Sequence, residues 1–287
     1  MSYVIVSDSS SNVFSVPRAN FCAVPLKIRV GEKEYVDGPD VDLEDMVEVL
    51  KAYKGKSSSS CPNVQEWLDA FGDADEVYGV TITRNLSGSY NAAYQAAQIY
   101  MEMHPGRKVY IFDSFTAGAE QAMVTMKIAE LAQQGYSFED IKEKVLEFQS
   151  YTHTLFCLES LTNLSRNGRV SPAVARIAGM LGIRLIGTAK EGRIEPIHKV
   201  RGHKKAMQTL VDVMAEWGYR GGMVRISECF AKEQANDLKE LILSKWPEAQ
   251  ILIEPNGALC SYYAEVGGMI VGFEGDFCKD NHPGLFN

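Results

Sequence analysis

VYGVTITRNLSGSYNAAYQAA, residues Val77 to Ala97, joins three local patterns without a break. Val77-Tyr78-Gly79-Val80-Thr81-Ile82 is a continuous apolar run, the composition of a strand buried on both faces of a parallel sheet. From Tyr90 the alanine-rich pattern predicts a helix to Met103, stopped by His104-Pro105-Gly106. Between them lies Asn85-Leu86-Ser87-Gly88-Ser89-Tyr90, which suits a turn, a nucleophile or a cradle for an anion. The same sequence logic recurs on either side. Tyr3-Val4-Ile5-Val6 runs into Ser7-Asp8-Ser9-Ser10-Ser11, and Val109-Tyr110-Ile111-Phe112 into Asp113-Ser114. Helical patterns intervene at Asp42 to Ala52 and at Ala119 to Gln134, and Ser137 opens a further helix with Asp140 three residues on. Strands alternating with helices imply a doubly wound, mainly parallel sheet. In such sheets the carboxyl ends of the strands line the ligand crevice. That brings Asp8-Ser9-Ser10, Ser87-Gly88-Ser89 and Asp113-Ser114 to one rim.

The second half has more hairpins. His153 to Leu158 reads as a strand, followed by a polar turn and a helix up to Gly182. Ile183 to Ala189 and Arg193 to Val200 flank the turn Lys190-Glu191-Gly192. Helices at His203 to Trp217 and Ala231 to Trp246 alternate with strands near Gly222 to Glu228, Ala249 to Ile253 and Gly268 to Phe273. The fold class is therefore α/β with two domains: residues 1–150 around the parallel sheet, and residues 151–287 around a mixed or antiparallel sheet with helices. The segment Ser57-Ser58-Ser59-Ser60-Cys61-Pro62 reads by default as a flexible loop, or alternatively as a hydroxyl-rich arm reaching across to the second domain.

Composition narrows the function. The chain has 287 residues, 46% of them hydrophobic and 23% charged, with a net charge of −8. That balance argues against a broad nucleic-acid surface. No apolar run approaches the roughly 20 residues of a membrane helix, and the N-terminus lacks a secretion signal, so a cytoplasmic location is expected. The six cysteines include no C-x-x-C pair and the five histidines no H-E-x-x-H, so the sequence offers no metal site and no cofactor is expected.

Three readings of the Ser87 turn remain. The nucleophile elbow of serine hydrolases is G-x-S-x-G, and here Asn85 and Ser89 occupy its glycine positions. A Ser87 hydrolase would also need one of His153, His198, His203 or His282 as base. The cradle reading uses the free N–H groups and positive end of the following helix, the Ser87 hydroxyl, and Gly88 for close approach. A plain helix cap by Ser87 or Ser89 is equally compatible. Arg169, in Arg166-Asn167-Gly168-Arg169, sits on an expected tight turn. The cluster from His198 to Lys205, including Arg201, is the densest basic patch of the chain, either a solvated helix start or a docking site for an anion or an acidic partner.

Taken together, these segments resemble the DegV family, fatty-acid-binding proteins that serve bacterial fatty acid kinase. Ser7-Asp8-Ser9-Ser10 is similar to the family's T-D-S-T/S, Tyr35-Val36-Asp37-Gly38 to Y-x-D-G, and Ser59-Ser60-Cys61-Pro62 to T-S-Q-P. Leu86-Ser87-Gly88-Ser89-Tyr90 is similar to L-S-G-T-Y, Phe112-Asp113-Ser114 to a strand-terminal D-S, Leu164 to Ser171 to L-x-x-G-G-R-I-S, and Lys199-Val200-Arg201 to K-x-R. The resemblance implies a two-domain α/β protein that is not an enzyme. It would bury a long-chain, palmitate-like fatty acid in a tunnel between the domains and present the carboxylate to a separate kinase, serving lipid transport or phospholipid metabolism without inserting into a membrane. It implies that Ser59, Ser60, Ser87 and Gly88 hold the carboxylate. Arg169 and Arg201 would lie near the head group or on the kinase-docking face. Where the family has a histidine in H-x-G-P-G, this chain has Glu265. Either Glu265 turns away, or it pairs with Arg169 or Arg201, or the ligand is another anionic small molecule.

Overall fold

A computed structural model describes residues 2–178, 182–276 and 278. The first strand, β1 (Tyr3–Asp8), ends in a 3-10 turn at Ser9–Ser11 and is followed by β2 (Phe21–Val24). β3 (Lys27–Val30) and β4 (Lys33–Val36) make a hairpin, then come α1 (Leu43–Ala52), β5 (Ser58–Ser60) and α2 (Val64–Phe71). The expected β/α alternation runs through β6 (Glu76–Thr81), α3 (Ser89–Met103), β7 (Lys108–Asp113), α4 (Ala119–Gln133) and α5 (Phe138–Tyr151). Strands β2-β1-β6-β7 form one wholly parallel sheet in that order.

Its strands are apolar throughout because both faces are covered. Ile5, Tyr78 and Phe112 pack against α4 and α5, whereas Val4, Val6 and Val77 pack against α2 and α3. The flanking helices start where their sequences allow. Asp42 accepts from Asp45 N at the head of α1, Asn63 and Glu66 form a capping box on α2, and Ser137 accepts from Asp140 N on α5.

The serine run corrects the flexible-loop expectation, since Ser58–Ser60 is a strand. β5 pairs antiparallel with β3, giving a small sheet ordered β4-β3-β5. Its main-chain hydrogen bonds order the segment with no hydrophobic pattern to announce it.

The remaining elements are β8 (Thr152–Leu158), α6 (Thr162–Arg166), α7 (Pro172–Ala178), β9 (Ile183–Lys190), β10 (Arg193–Arg201) and α8 (His203–Glu216). They are followed by β11 (Met223–Glu228), α9 (Lys232–Lys245), β12 (Gln250–Pro255), α10 (Ala258–Ala264) and β13 (Met269–Glu274). They build a six-stranded sheet, β10-β9-β8-β13-β11-β12, antiparallel except for the parallel pair β11 and β12. One face carries Leu155, Cys157, Val224 and Val271 into a core against α8 and α9. The alternate residues Thr154, Phe156 and Leu158 look the other way.

α4 lies between the two sheets, with neighbours on β1 and β6 and on β8, β11 and β13. Ten of its residues, from Ala119 to Leu131, are buried, and only its later turns show a polar side to water, at Lys127, Glu130 and Gln133. Gly272 of β13 makes the closest approach, because a β-carbon there would meet the Ala119–Glu120 backbone at 2.7 Å.

Candidate functional site

At the carboxyl ends of β1 and β6 the rim expected from the sequence converges on one carboxylate. Asp8 is wholly buried. Its Oδ1 accepts from Ser10 Oγ at 2.5 Å and Gln121 Nε2 at 2.8 Å; its Oδ2 accepts from Ser89 Oγ at 2.6 Å and Ile82 N at 3.0 Å. Burial pushes the Asp8 carboxyl above its ordinary range, and these four donors pull it back in part. Asp8, Ser10 and Ser89 thus satisfy one another and form the foundation of the rim. Asp113 is likewise engaged, by Arg84 at 2.5 Å and by Phe115 N at 3.0 Å.

Above this foundation, between the rim and the free face of the six-stranded sheet, is a cavity of about 330 Å³. Its floor is Thr154, Phe156 and Leu158 of β8 with Ile270 of β13, its sides include Ile194 and Leu164, and its roof is Leu26, Ile82 and Leu259. The hydroxyls of Thr154 and Thr188 are spent on main-chain carbonyls of Val271 and Thr154, so this end offers an apolar surface. A mostly apolar cavity with few polar groups at one end is the usual build of a small-molecule site.

The polar end gathers Ser59, Ser60, Cys61, Ser87, Gly88 and Arg169. Ser59 Oγ and Tyr263 OH share a hydrogen bond of 2.7 Å, and Ser57 and Tyr262 share one of 2.8 Å. Ser59 lies in β5, Ser57 just before it, and both tyrosines in α10, so the serine arm does reach across to the second half. Ser87 Oγ accepts from Ser89 N at 3.2 Å at the start of α3. Gly88 has ordinary helical backbone angles, and a β-carbon there would lie 3.2 Å from Cys61 Sγ, so a larger residue would press on that thiol. Burial pushes the Cys61 thiol up, so a thiol rather than a thiolate stands where the family pattern has glutamine. Arg169 donates through Nε to Leu86 O at 3.2 Å and through Nη1 to Asn167 O at 2.6 Å, with its guanidinium 5.8 Å from the centre of the Tyr263 ring. Among the described residues no carboxylate pairs with it.

Arg201 and Glu265 stand elsewhere. Arg201 closes β10, exposed and outside the cavity lining. Glu265 turns away: its Oε1 accepts from Asn163 N at 2.9 Å, and it lines a separate hollow with Lys51 and Arg166. Of the three arrangements left open by the sequence, the first is the one found. Ser87 has no histidine partner among the described residues; His153 packs at a tilt against Trp217 and Phe273, His203 pairs with Asp237, and His282 lies outside the described residues.

Sequence reasoning missed α10 and with it Tyr262 and Tyr263. The helix is anchored by Asp37, far away in sequence, whose motif was visible and whose task was not. Asp37, 2% exposed, accepts from Ala258 N at 2.6 Å and Leu259 N at 3.3 Å, fixing the start of α10. Burial pushes its carboxyl up to about 6, against the hydrogen bonds from Ser9, Ala258 and Leu259. Among the described residues no helix is long and apolar enough to cross a membrane, and no cluster of side chains suits a metal ion.

Comparison with known proteins supplies a frame for this geometry. Residues 2–275 match the family described as "Uncharacterised protein, DegV family". A DegV domain-containing protein of Streptococcus pneumoniae is 37% identical over 281 residues, covering 96% of this chain and 100% of that one. Among solved structures, the Fatty Acid Kinase (Fak) B3 protein of Streptococcus pneumoniae, loaded with linoleic acid, superposes with a TM-score of 0.94 at 37% identity over 96% of this chain and 100% of that one. A DegV family protein from Eubacterium eligens loaded with heptadecanoic acid gives 0.93 at 36% identity, again over 96% and 100%.

Proposed function

The chain belongs to the DegV family, and from that premise we propose that it binds a long-chain fatty acid with the tail in the cavity and the carboxylate at its polar end. One observation carries the reading: a single cavity is lined both by apolar Phe156, Leu158 and Ile270 and by the polar Ser59, Ser87 and Arg169. Burying methylenes is worth about 0.8 kcal/mol each, so affinity resides in the tail. The serine hydroxyls, the N-terminus of α3 and the unpaired Arg169 charge then fix which end faces out. Because Glu265 is turned away, no second carboxylate opposes the first.

In this reading the protein is a carrier that offers the carboxylate to a separate fatty acid kinase, as the name of its pneumococcal relative suggests. Arg201, exposed outside the cavity, is assigned to the docking face rather than to the ligand. Mass spectrometry of lipid extracted from the purified protein is expected to find free long-chain fatty acid in near-stoichiometric amount. Protein that is repeatedly empty and ignores added palmitate would overturn the reading. Acyl phosphate formed by a fatty acid kinase only when this protein is present would establish the carrier role.

A further inference from the structure

The hollow that holds Glu265 has a volume of about 260 Å³ and shares no lining residue with the tail cavity. Ser57 and Tyr262 stand in its wall, while Ser59 and Tyr263, their near neighbours in the chain, stand in the wall of the tail cavity. The two serine–tyrosine bonds thus serve one hollow each.

The charged groups of this hollow come from both halves of the chain. Lys51 lies in the last turn of α1 and Arg166 closes α6. Both are exposed at the rim, and among the described residues neither pairs with a carboxylate. The lining holds one acidic residue, Glu265, whose Oε1 is already taken by Asn163 N. Glu265 keeps a φ of 56°, a left-handed angle that residues with a β-carbon rarely adopt. Two cations against one carboxylate leave the hollow positive in a chain of net charge −8. Val47, Leu50 and Val266 add an apolar wall. An anion with an apolar body matches both features, its charge between Lys51 and Arg166 and its body against the aliphatic side chains.

A run of hydrogen bonds leads from this hollow to the tail cavity. Asn163, whose N–H meets Glu265, donates through Nδ2 to Tyr262 O at 2.8 Å. Asn167 Nδ2 reaches Asn163 O at 2.9 Å and Tyr262 OH at 2.8 Å. Asn167 O accepts from Arg169 Nη1 at 2.6 Å, and Arg169 lines the tail cavity. Two sites influence each other when both bias one shared element, and here that element is the seam between the halves. A ligand paired to Lys51 and Arg166 ties α1 to α6, just as a fatty acid bridges β5 and β8. We propose that the hollow is a second ligand site, taking a small organic anion with an apolar body, and that its occupation tightens the hold on the fatty acid. The coupling rests on the fatty-acid reading; the site itself does not.

The probe is benzoate, set against neutral benzamide and against acetate, which lacks the ring. Calorimetry on full-length protein saturated with palmitate, so that the tail cavity is filled, is expected to show benzoate binding about tenfold or more tighter than either control. Lys51→Gln and Arg166→Gln, both at exposed positions, are each expected to weaken benzoate about tenfold. Benzoate is expected to raise palmitate affinity about fivefold, and palmitate to raise benzoate affinity by the same factor, since linkage is reciprocal. Asn167→Ala is expected to bring both factors to about one. No benzoate binding, binding indifferent to Lys51 and Arg166, or equal binding of benzamide or acetate would each overturn the site and leave the fatty-acid reading intact. Benzoate binding without a reciprocal change, or with one that survives Asn167→Ala, would overturn the coupling. Protein that binds benzoate but never palmitate would overturn the fatty-acid reading and the coupling with it, and leave the site standing.

Discussion

Truncating Asp8 would strand four donors at once, because Ser10, Ser89, Gln121 and Ile82 all turn toward its carboxylate. An unsatisfied buried donor costs about 1–3 kcal/mol, so Asp8→Ala is expected to lower stability by roughly 3 kcal/mol or more, read as a shift in urea midpoint. Asp37 makes a different prediction. Its carboxyl titrates at about 6 when folded against an ordinary 3.8, so folding favours its protonated form. That contribution is fully present below 3.8 and is lost as pH rises through about 6, a span worth about 3 kcal/mol. Denaturation at pH about 4 and about 7 is expected to show wild type losing more stability than Asp37→Asn as pH rises; parallel profiles would remove the assignment. At the mouth, Ser87→Ala deletes one hydroxyl, and palmitate affinity is expected to fall about fivefold, the usual worth of one hydrogen bond. These three residues sit in motifs visible in the sequence. Tyr263 does not, because nothing in Ser261-Tyr262-Tyr263-Ala264 says that adjacent tyrosines bond to alternate serines of a distant segment.

Elements were legible in proportion to their hydrophobic pattern. The buried runs of β1, β6 and β7 and the capped helices α1 and α5 stand out because apolar spacing and caps act locally. β5 did not, since three serines carry no periodic signal and their strand exists only through pairing with β3. α10 is seven residues long and begins only because Asp37, far away in sequence, holds its first N–H groups. The β9–β10 hairpin was readable as a hairpin, but its task as a cavity wall was not. Gly187 on β9 lies so close under the Phe156 ring that a β-carbon would overlap it. A β-carbon there would also meet Glu195 O at 2.6 Å, so Gly187→Ala is expected to displace both Phe156 and the β9–β10 pairing, and extracted lipid should shift to shorter chains or fall in amount. An unchanged lipid profile would show that Phe156 does not bound the tail.

For the whole molecule, α4 is the decisive piece, because it packs on both sheets and most of its residues are buried between them. The topology changes where α5 ends at Tyr151 and β8 starts at Thr152. A fragment ending at Ser150 would leave the β13 and β11 side of α4 bare. It is expected to lack a cooperative unfolding transition, whereas the full chain should melt in one step that rises with added palmitate. The cavity has a consequence of its own. Its walls come from β5 and the turn before α3 on one side and from β8, β10 and β13 on the other, so an acyl tail there would serve as a shared piece of core that the polypeptide does not encode. A carrier built this way is least robust just after it has handed over its cargo. In a cell whose proteases sample opened chains, its lifetime would follow lipid supply, and its abundance would record how often it is full.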